Sequence, residues 1–340
     1  MPGTSDTNGL EACQLSSWYT LFKKETIRSI VVGELPAQAF LEYMAADTLV
    51  LPKRARTSCA LLEHCSTEPS WEEDDHEDGG LPSTTNDPED NNNADNSDDE
   101  LTPLTVSINN AIARLGGAVI PKLNWSSPKD AIWTNAGTME CRFAGDVYLL
   151  LKASDFVASD ILLLEQTALQ PQIVLRKWCN LHPSQEFRCF VRNRELVAIS
   201  QRHDSQHWPH LADAQYQEKM DDLIWSFFEL SILQQSEFQL SNYVFDVYID
   251  RKDRVWLLDF NVWGARTDPL LFAWSDLDIR TECEMRVVMT GKQVRSDPLA
   301  SYKAPTDVVD LAANSDQFRE FMAQCKRPGA EGHNQDDGSE

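Results

Sequence analysis

The chain has 340 residues, 42% of them hydrophobic, and a formal charge of −24. That is enough apolar material for one large core or two modest ones, and it offers no basic face of the kind that binds nucleic acid non-specifically. The charge is concentrated: residues 66–100 hold 14 of the 54 Asp and Glu and no Lys or Arg, which leaves about −10 for the rest. A basic partner protein suits this balance. No run approaches the ~18 apolar residues of a membrane span. MPGTSDTNGLEACQ has neither the basic nor the apolar region of a secretion signal. The eight cysteines, Cys13, Cys59, Cys65, Cys141, Cys179, Cys189, Cys283 and Cys325, form no C-x-x-C pair and read as reduced thiols. The expectation is a soluble, cytoplasmic protein.

In chain order, residues 10–62 carry regular apolar spacing (LSSWYTLF, TIRSIVV, AFLEYMA) and read as folded. Residues 66–100 break every pattern and hold too little apolar surface to offset the entropy of ordering, so they predict a disordered insertion. It serves either as a solvated loop or as a contact for a basic partner. TVSINNAIARLGGAVIPKL (105–123) predicts an amphipathic helix that stops at Gly116-Gly117, with a short strand after it. Residues 146–170 mix apolar runs in a way that periodicity leaves open. IVLRKW (173–178) reads as a buried strand. FRCFV and ELVAIS, joined at Arg192-Asn193-Arg194, read as a hairpin. Tyr216, Met220, Leu223, Ile224, Phe227 and Phe228 recur at helical steps. The tail from about 328 is expected to be disordered. Strands and helices are mixed and hairpins are antiparallel, so the fold class is α+β.

FDVYIDRKDRVWLLDFN (245–261) predicts a second hairpin about the polar turn Arg251-Lys252-Asp253-Arg254. With an even loop centred between Lys252 and Asp253, Asp250 faces Val255 and Asp246 faces Asp259. Val244, Asp246 and Tyr248 then share a face with Leu257, Asp259 and Asn261. An odd loop flips this register. Two facing, buried carboxylates need compensation: one is protonated, or Lys or Arg pairs with them, or a divalent cation lies between them. Alternatively, this face is solvated and the aspartates are ordinary surface acids. Oxygen ligands without His or Cys suit Mg²⁺ or Mn²⁺ rather than zinc, and Mg²⁺ completes its shell with water and phosphate.

A nucleotide site needs fixed positive charge and N–H donors. PKLNWSSPKDA (121–131) offers Lys122 and Lys129, and EFRCFV puts Glu186 and Arg188 on one strand face. No P-loop and no G-x-G-x-x-G is present. DFN at 259–261 has no H-R-D catalytic loop to accompany it, which argues against a protein kinase. In HDSQHWPH, His203 and His207 have the spacing of a helical zinc pair. Pro209 argues against a regular helix, and the stretch reads as a polar loop.

These segments together resemble the cell division cycle protein 123 family. The residues that carry the resemblance are CQLSSWYTLF, LGGAVIPKLNWSSPKDAIW, LLLKASDF, LRKWCNLHPSQEFRCFV, ISQR, and FDVYIDRKDRVWLLDFN with TDPLLFAW. They run in order from about 13 to 280. The resemblance implies an ATP-grasp-like fold in which two lobes clamp ATP and Mg²⁺. The lobes would be residues 1–170 with the insertion 66–100, and residues 171–285 with the metal site. A C-terminal extension would cover 286–340. By matching motif, Asp246, Asp259 and Asn261 are the implied metal ligands. Lys122, Asn124 and Trp125 are implied to line the nucleotide from the first lobe. Arg176, Lys177, Trp178 and Cys179 would form the hinge beside adenine, largely through backbone groups, and Glu186, Arg188 and Arg202 would contact ribose and phosphates. After Asn261 the chain has Val262-Trp263, where the family more often has Pro and Phe. The implied function is an ATP- and Mg²⁺-binding assembly chaperone. It would bind the γ subunit of eukaryotic translation initiation factor 2 and promote heterotrimer assembly, supporting translation initiation and the cell cycle. The alternatives are an ATP-grasp ligase that activates a carboxylate and a scaffold with a vestigial site.

Overall fold

The computed structural model describes residues 4–56 and 100–299, apart from Glu34, Asp47, Leu49 and Pro298. The expectations for the acidic insertion and for the tail from 328 fall outside the described residues, Glu100 excepted.

In chain order the elements are α1 (Thr4–Ala12), α2 (Leu15–Trp18), β1 (Ser29–Val31), α3 (Ala37–Ala45), α4 (Lys53–Arg56), α5 (Thr102–Leu115) and β2 (Val119–Leu123). Next come α6 (Ala144–Lys152), α7 (Asp155–Thr167), β3 (Ile173–Lys177), β4 (Glu186–Arg192), β5 (Glu195–Gln201) and α8 (Ala214–Phe227). The last are β6 (Tyr243–Ile249), β7 (Val255–Val262), α9 (Trp274–Leu277) and β8 (Glu284–Arg286). Helix α5 buries Leu104, Ile108, Ala111, Ile112 and Leu115 and ends where Gly116 takes φ +101°, a conformation that glycine adopts without steric cost. The segment that periodicity left open resolves into α6 and α7. Ser154 separates them and caps α7, its Oγ accepting from the Val157 N–H at 3.2 Å. The β4–β5 turn places Asn193 (φ +53°) and Arg194 (φ +64°) in the left-handed region, as a two-residue hairpin of native twist requires.

The strands form two sheets: an antiparallel three-stranded sheet, β1-β3-β2, and a five-stranded sheet, β7-β6-β4-β5-β8, antiparallel except where β8 runs parallel to β5. The expected α+β class with antiparallel hairpins is the one observed. One apolar core joins the first sheet to α5 and α6 through Val119, Leu123, Ile173, Leu175, Ile112, Val147 and Leu151. A larger core lies between the second sheet and α8, where Phe187, Phe245, Val247, Leu257 and Phe260 meet Met220, Ile224 and Phe228.

The chain departs from a division at 170/171 in two places. Leu15, Trp18 and Phe22 belong to the second core, with Trp18 edge-on to Phe260 at 5.3 Å between ring centroids. Strand β3 lies at the centre of the first sheet. Thr26 strengthens the crossing, its Oγ1 donating to the Leu257 carbonyl at 2.7 Å.

The β6–β7 register corrects the sequence reading. The loop is odd: the Asp250 N–H donates to the Arg254 carbonyl at 2.9 Å, Asp253 sits at φ +60°, and Ile249, not Asp250, faces Val255. This is a three-residue turn with its left-handed residue third. A one-residue bulge at Leu258 then restores the pairing, so that Asp246 does face Asp259 and Val244 faces Asn261. Leu257 points into the core opposite Val247, away from the aspartate face.

Candidate functional site

The two sheets converge on a cavity of about 680 Å³, within the range of small-molecule and cofactor sites. Its apolar wall comes from Ile27, Ile120, Ile132, Met139, Val174 and Leu258. Its polar wall includes Lys122 of β2, Arg176 of β3, Glu186 and Arg188 of β4, Asp246 of β6, and Asp259 and Asn261 of β7. Trp125, Lys177, Trp178, Cys179 and Arg202 also line it, so all but one of the residues implied by the resemblance meet here. The exception is Asn124. Its buried side chain donates to the Gln170 carbonyl (3.0 Å) and accepts from the Gln172 N–H (2.8 Å), fixing a backbone turn at φ +31°. It is a structural clamp behind the site.

The carboxylates are not surface acids. Asp246 is 7% exposed, and Arg188, its direct partner in the β4–β6 ladder, grips it in a fork: Nε to Oδ1 at 2.7 Å and Nη2 to Oδ2 at 2.8 Å. Arg202 Nε stands 3.5 Å from Oδ2. Burial alone would raise the Asp246 pKa, but Arg188, then Arg202 and Lys129, outweigh it and hold the group well below the usual carboxylate range. Asp259 pairs with Lys122, which reaches it from the other sheet. Of the three forms of compensation open from the sequence, cationic side chains therefore account for both acids.

The residues fit a metal and an anion all the same. Asp259 Oδ1 is buried without a hydrogen-bond partner, and so is Arg176 Nη2, one unused acceptor and one unused donor at the same cavity. Asn261 Nδ2 lies 3.5 Å from Asp246 Oδ2, and Asp246 faces Asp259 in the β6–β7 ladder, so the three implied ligands are neighbours. Lys129, which the set of implied ligands leaves out, belongs to the cavity wall. The positive charge of Arg202, and then burial, lower its pKa to about 8. A bound anion would reverse that shift. The signal for Lys129 was its place in the PKD of PKLNWSSPKDA. The N–H groups of Lys177 and Trp178 donate to the carbonyls of Arg28 and Ala118 (2.9 and 3.0 Å), so any backbone donor for a base in this segment lies beyond Trp178.

The Trp125-Ser126 turn is held by Asp160 of α7. Its Oδ2 accepts from the N–H groups of Trp125 (3.3 Å) and Ser126 (2.8 Å), and its Oδ1 accepts from Ser126 Oγ at 2.9 Å. The histidine stretch forms no metal cluster among the described residues. His203 stands 3.2 Å from the Glu186 carboxylate, and His210 bonds Ser184 Oγ at 3.2 Å.

This arrangement lies within a stretch that matches one protein family, D123, over residues 18–312. The chain belongs to the D123 family. A Xenopus tropicalis relative described as "Translation initiation factor eIF2 assembly protein" is 36% identical over 332 residues, covering 90% of this chain and 92% of its own length. A "Cell division cycle protein 123" from Phaeosphaeria nodorum is 42% identical over 255 residues, covering 72% of this chain and 62% of the relative. The crystal structure of Cdc123 from Schizosaccharomyces pombe superposes with a TM-score of 0.62 at 32% identity, covering 83% of this chain and 97% of that one. No helix among the described residues of this D123 member is long and apolar enough to cross a membrane.

Proposed function

We propose that this D123 member is an assembly chaperone for translation initiation factor 2 that acts in the cytoplasm, binds Mg²⁺-ATP in the cavity between the two sheets, and engages the factor's γ subunit. The observation that carries the nucleotide reading is the pair of unused polar atoms, Asp259 Oδ1 and Arg176 Nη2, in one cavity with apolar and cationic walls. The partner reading rests on the relative described as an eIF2 assembly protein, which is similar over 90% of this chain. Two sheets facing one cavity support the ATP-grasp-like reading of the α+β fold.

In this arrangement Lys122, Lys129, Arg176 and Arg202 bind phosphate oxygens, and the apolar wall takes the base. Asp259 and Asn261 would hold the metal ion beside Asp246, which Arg188 keeps ionised and oriented. When bound, the ion neutralises phosphate charge against the acids. The nucleotide rigidifies the two sheets against each other and so reduces the ordering that partner binding must supply. A non-hydrolysable analogue is then expected to support binding as ATP does.

The test uses purified components. The immobilised chain is mixed with the γ subunit in Mg²⁺-ATP, in Mg²⁺ with a non-hydrolysable analogue, and in EDTA. Capture in the first two conditions and loss in the third is the expected result. No capture in any condition overturns the partner assignment. Capture with ATP alone, with phosphate released in step, makes the protein an ATPase.

A further inference from the structure

We propose that Arg295, which lies beyond the last strand, is a positioning residue for the cavity: it pins the loop from Arg266 to Leu270 and through it the Arg188–Asp246 fork. The inference rests on the nucleotide reading for its consequence, though not for its geometry.

After β8 pairs with β5, the chain turns back along the sheet edge. The Val288 N–H donates to Gln201 Oε1 at 3.0 Å, and the Arg295 N–H donates to the Asp204 carbonyl at 3.1 Å. The Arg295 side chain then crosses to the cavity loop. Its Nη1 donates to Asp204 Oδ2 at 2.7 Å, to the Leu270 carbonyl at 2.8 Å and to Asp268 Oδ1 at 3.3 Å. The loop needs such a clamp. Leu270 sits at φ +54°, a conformation that a branched side chain disfavours, and only its surroundings hold it there. Asp268 Oδ1 also accepts from the Leu270 N–H at 2.9 Å.

The same loop touches the site directly. Arg266, Thr267 and Asp268 line the cavity. The Asp268 carbonyl accepts from Arg188 Nη1 at 2.9 Å, the third donor of the guanidinium that grips Asp246. A continuous path of contacts therefore runs from Asp204, only 6% exposed, through Arg295 to Asp268, Arg188 and Asp246. Leu299, four positions after Arg295, lines the cavity.

The full-length chain and three variants, Arg295→Ala, Arg295→Lys and Asp204→Asn, decide the matter. Neither Arg295 nor Asp204 lines the cavity. Hydrogen exchange without nucleotide should rise over 266–272 in Arg295→Ala and stay unchanged elsewhere. Calorimetry should show Mg²⁺-ATP binding weakened about tenfold, the effect of losing a supporting contact behind a ligand group. Arg295→Lys supplies three donors from one ammonium and should return affinity to within about threefold of wild type. Asp204→Asn should weaken binding in the same direction as Arg295→Ala. Wild-type affinity in Arg295→Ala, or in Asp204→Asn if that protein does not fold, overturns the proposal. So does a lysine variant no better than alanine, or a global rise in exchange with a lower melting temperature, which would mark a purely structural role. A wild-type chain that fails to bind Mg²⁺-ATP refutes the nucleotide reading instead, and the exchange pattern over 266–272 still judges the clamp.

Discussion

Lys122 and Asp259 form an ion pair between the two sheets, the lysine from β2 and the carboxylate from β7. Lys122 is 5% exposed, so little water replaces this partner if it is removed. Asp259 also faces Asp246, and like charges repel, but the Arg188 fork already neutralises Asp246. The attraction therefore outweighs the repulsion. Asp259→Ala is expected to lower the stability of the ligand-free protein by about 2 kcal/mol, less than a fully buried pair because Asp259 keeps some solvent contact. Urea denaturation of Lys122→Ala, Asp259→Ala and the double variant gives the coupling. A neutral or stabilising Asp259→Ala would mean that repulsion between the acids dominates.

ATP binding is expected to depend on a divalent cation. Asp259 Oδ1 has no partner, and a triphosphate brought beside Asp246 and Asp259 without a cation meets two carboxylates. Titration of ATP in EDTA should show affinity reduced by about tenfold or more relative to Mg²⁺. Equal affinities would remove Asp246, Asp259 and Asn261 from the role of metal ligands.

Asp160 carries a pH dependence. Burial raises its pKa from 3.8 to about 6, against the lowering effect of the Ser126 and Trp125 hydrogen bonds. A carboxyl with a raised folded-state pKa contributes stability below its unfolded pKa and loses that contribution as pH rises through the folded value. Stability should therefore fall between about pH 4 and pH 6 by a component that Asp160→Asn removes. The difference in unfolding free energy, Asn variant minus wild type, should be larger at pH 7 than at pH 4.5. Asp160→Ala instead leaves the Trp125 and Ser126 N–H groups without acceptors and should cost about 2–4 kcal/mol. An Asn variant with the wild-type pH slope would place the titration elsewhere.

Leu258 is the extra residue of the β7 bulge. Deleting it should convert the hairpin to a regular ladder with no side chain changing face: Val247 still meets Leu257, and Asp246 still meets Asp259. The expected loss is about 1–3 kcal/mol for one buried side chain, with the fold retained. Near-UV circular dichroism of the Trp18, Phe22 and Phe260 cluster, with urea denaturation, checks this. An unfolded deletion variant would show that the bulge itself is required.

The hairpin shows how far sequence periodicity reaches. Even-loop reasoning pairs Asp246 with Asp259, and the structure has that pair, but through two departures that cancel: an odd loop and a one-residue bulge. Alternation identified the face correctly on β6, where no bulge intervenes, and misplaced Leu257 on β7, where one does. The helix stop at Gly116, the β4–β5 turn and the α8 periodicity were all readable because each depends on residues within a few positions of one another. Asn124 shows a related limit. It sits in the motif beside Lys122 and Trp125, and only the fold reveals that its side chain turns back to Gln170 and Gln172.

The sequence by itself determined the α+β class, the helices α5 and α8, the two hairpins, the family, and the collection of charged residues that line one cavity. These follow from local period, turn chemistry and ordered motifs, all properties of neighbouring residues. Only the tertiary structure decided how the charges are paired. Lys122 and Asp259 lie 137 positions apart, and Arg188 and Asp246 lie 58 apart. The second is a cross-strand pair of neighbouring β4 and β6, whereas the Lys122–Asp259 contact depends on two sheets packing against separate cores while the segment around Trp18 and Thr26 ties one to the other. No short-range pattern encodes such a contact. It is set by the burial of apolar faces elsewhere, which brings the charged edges of the sheets together and obliges each carboxylate to find a cation.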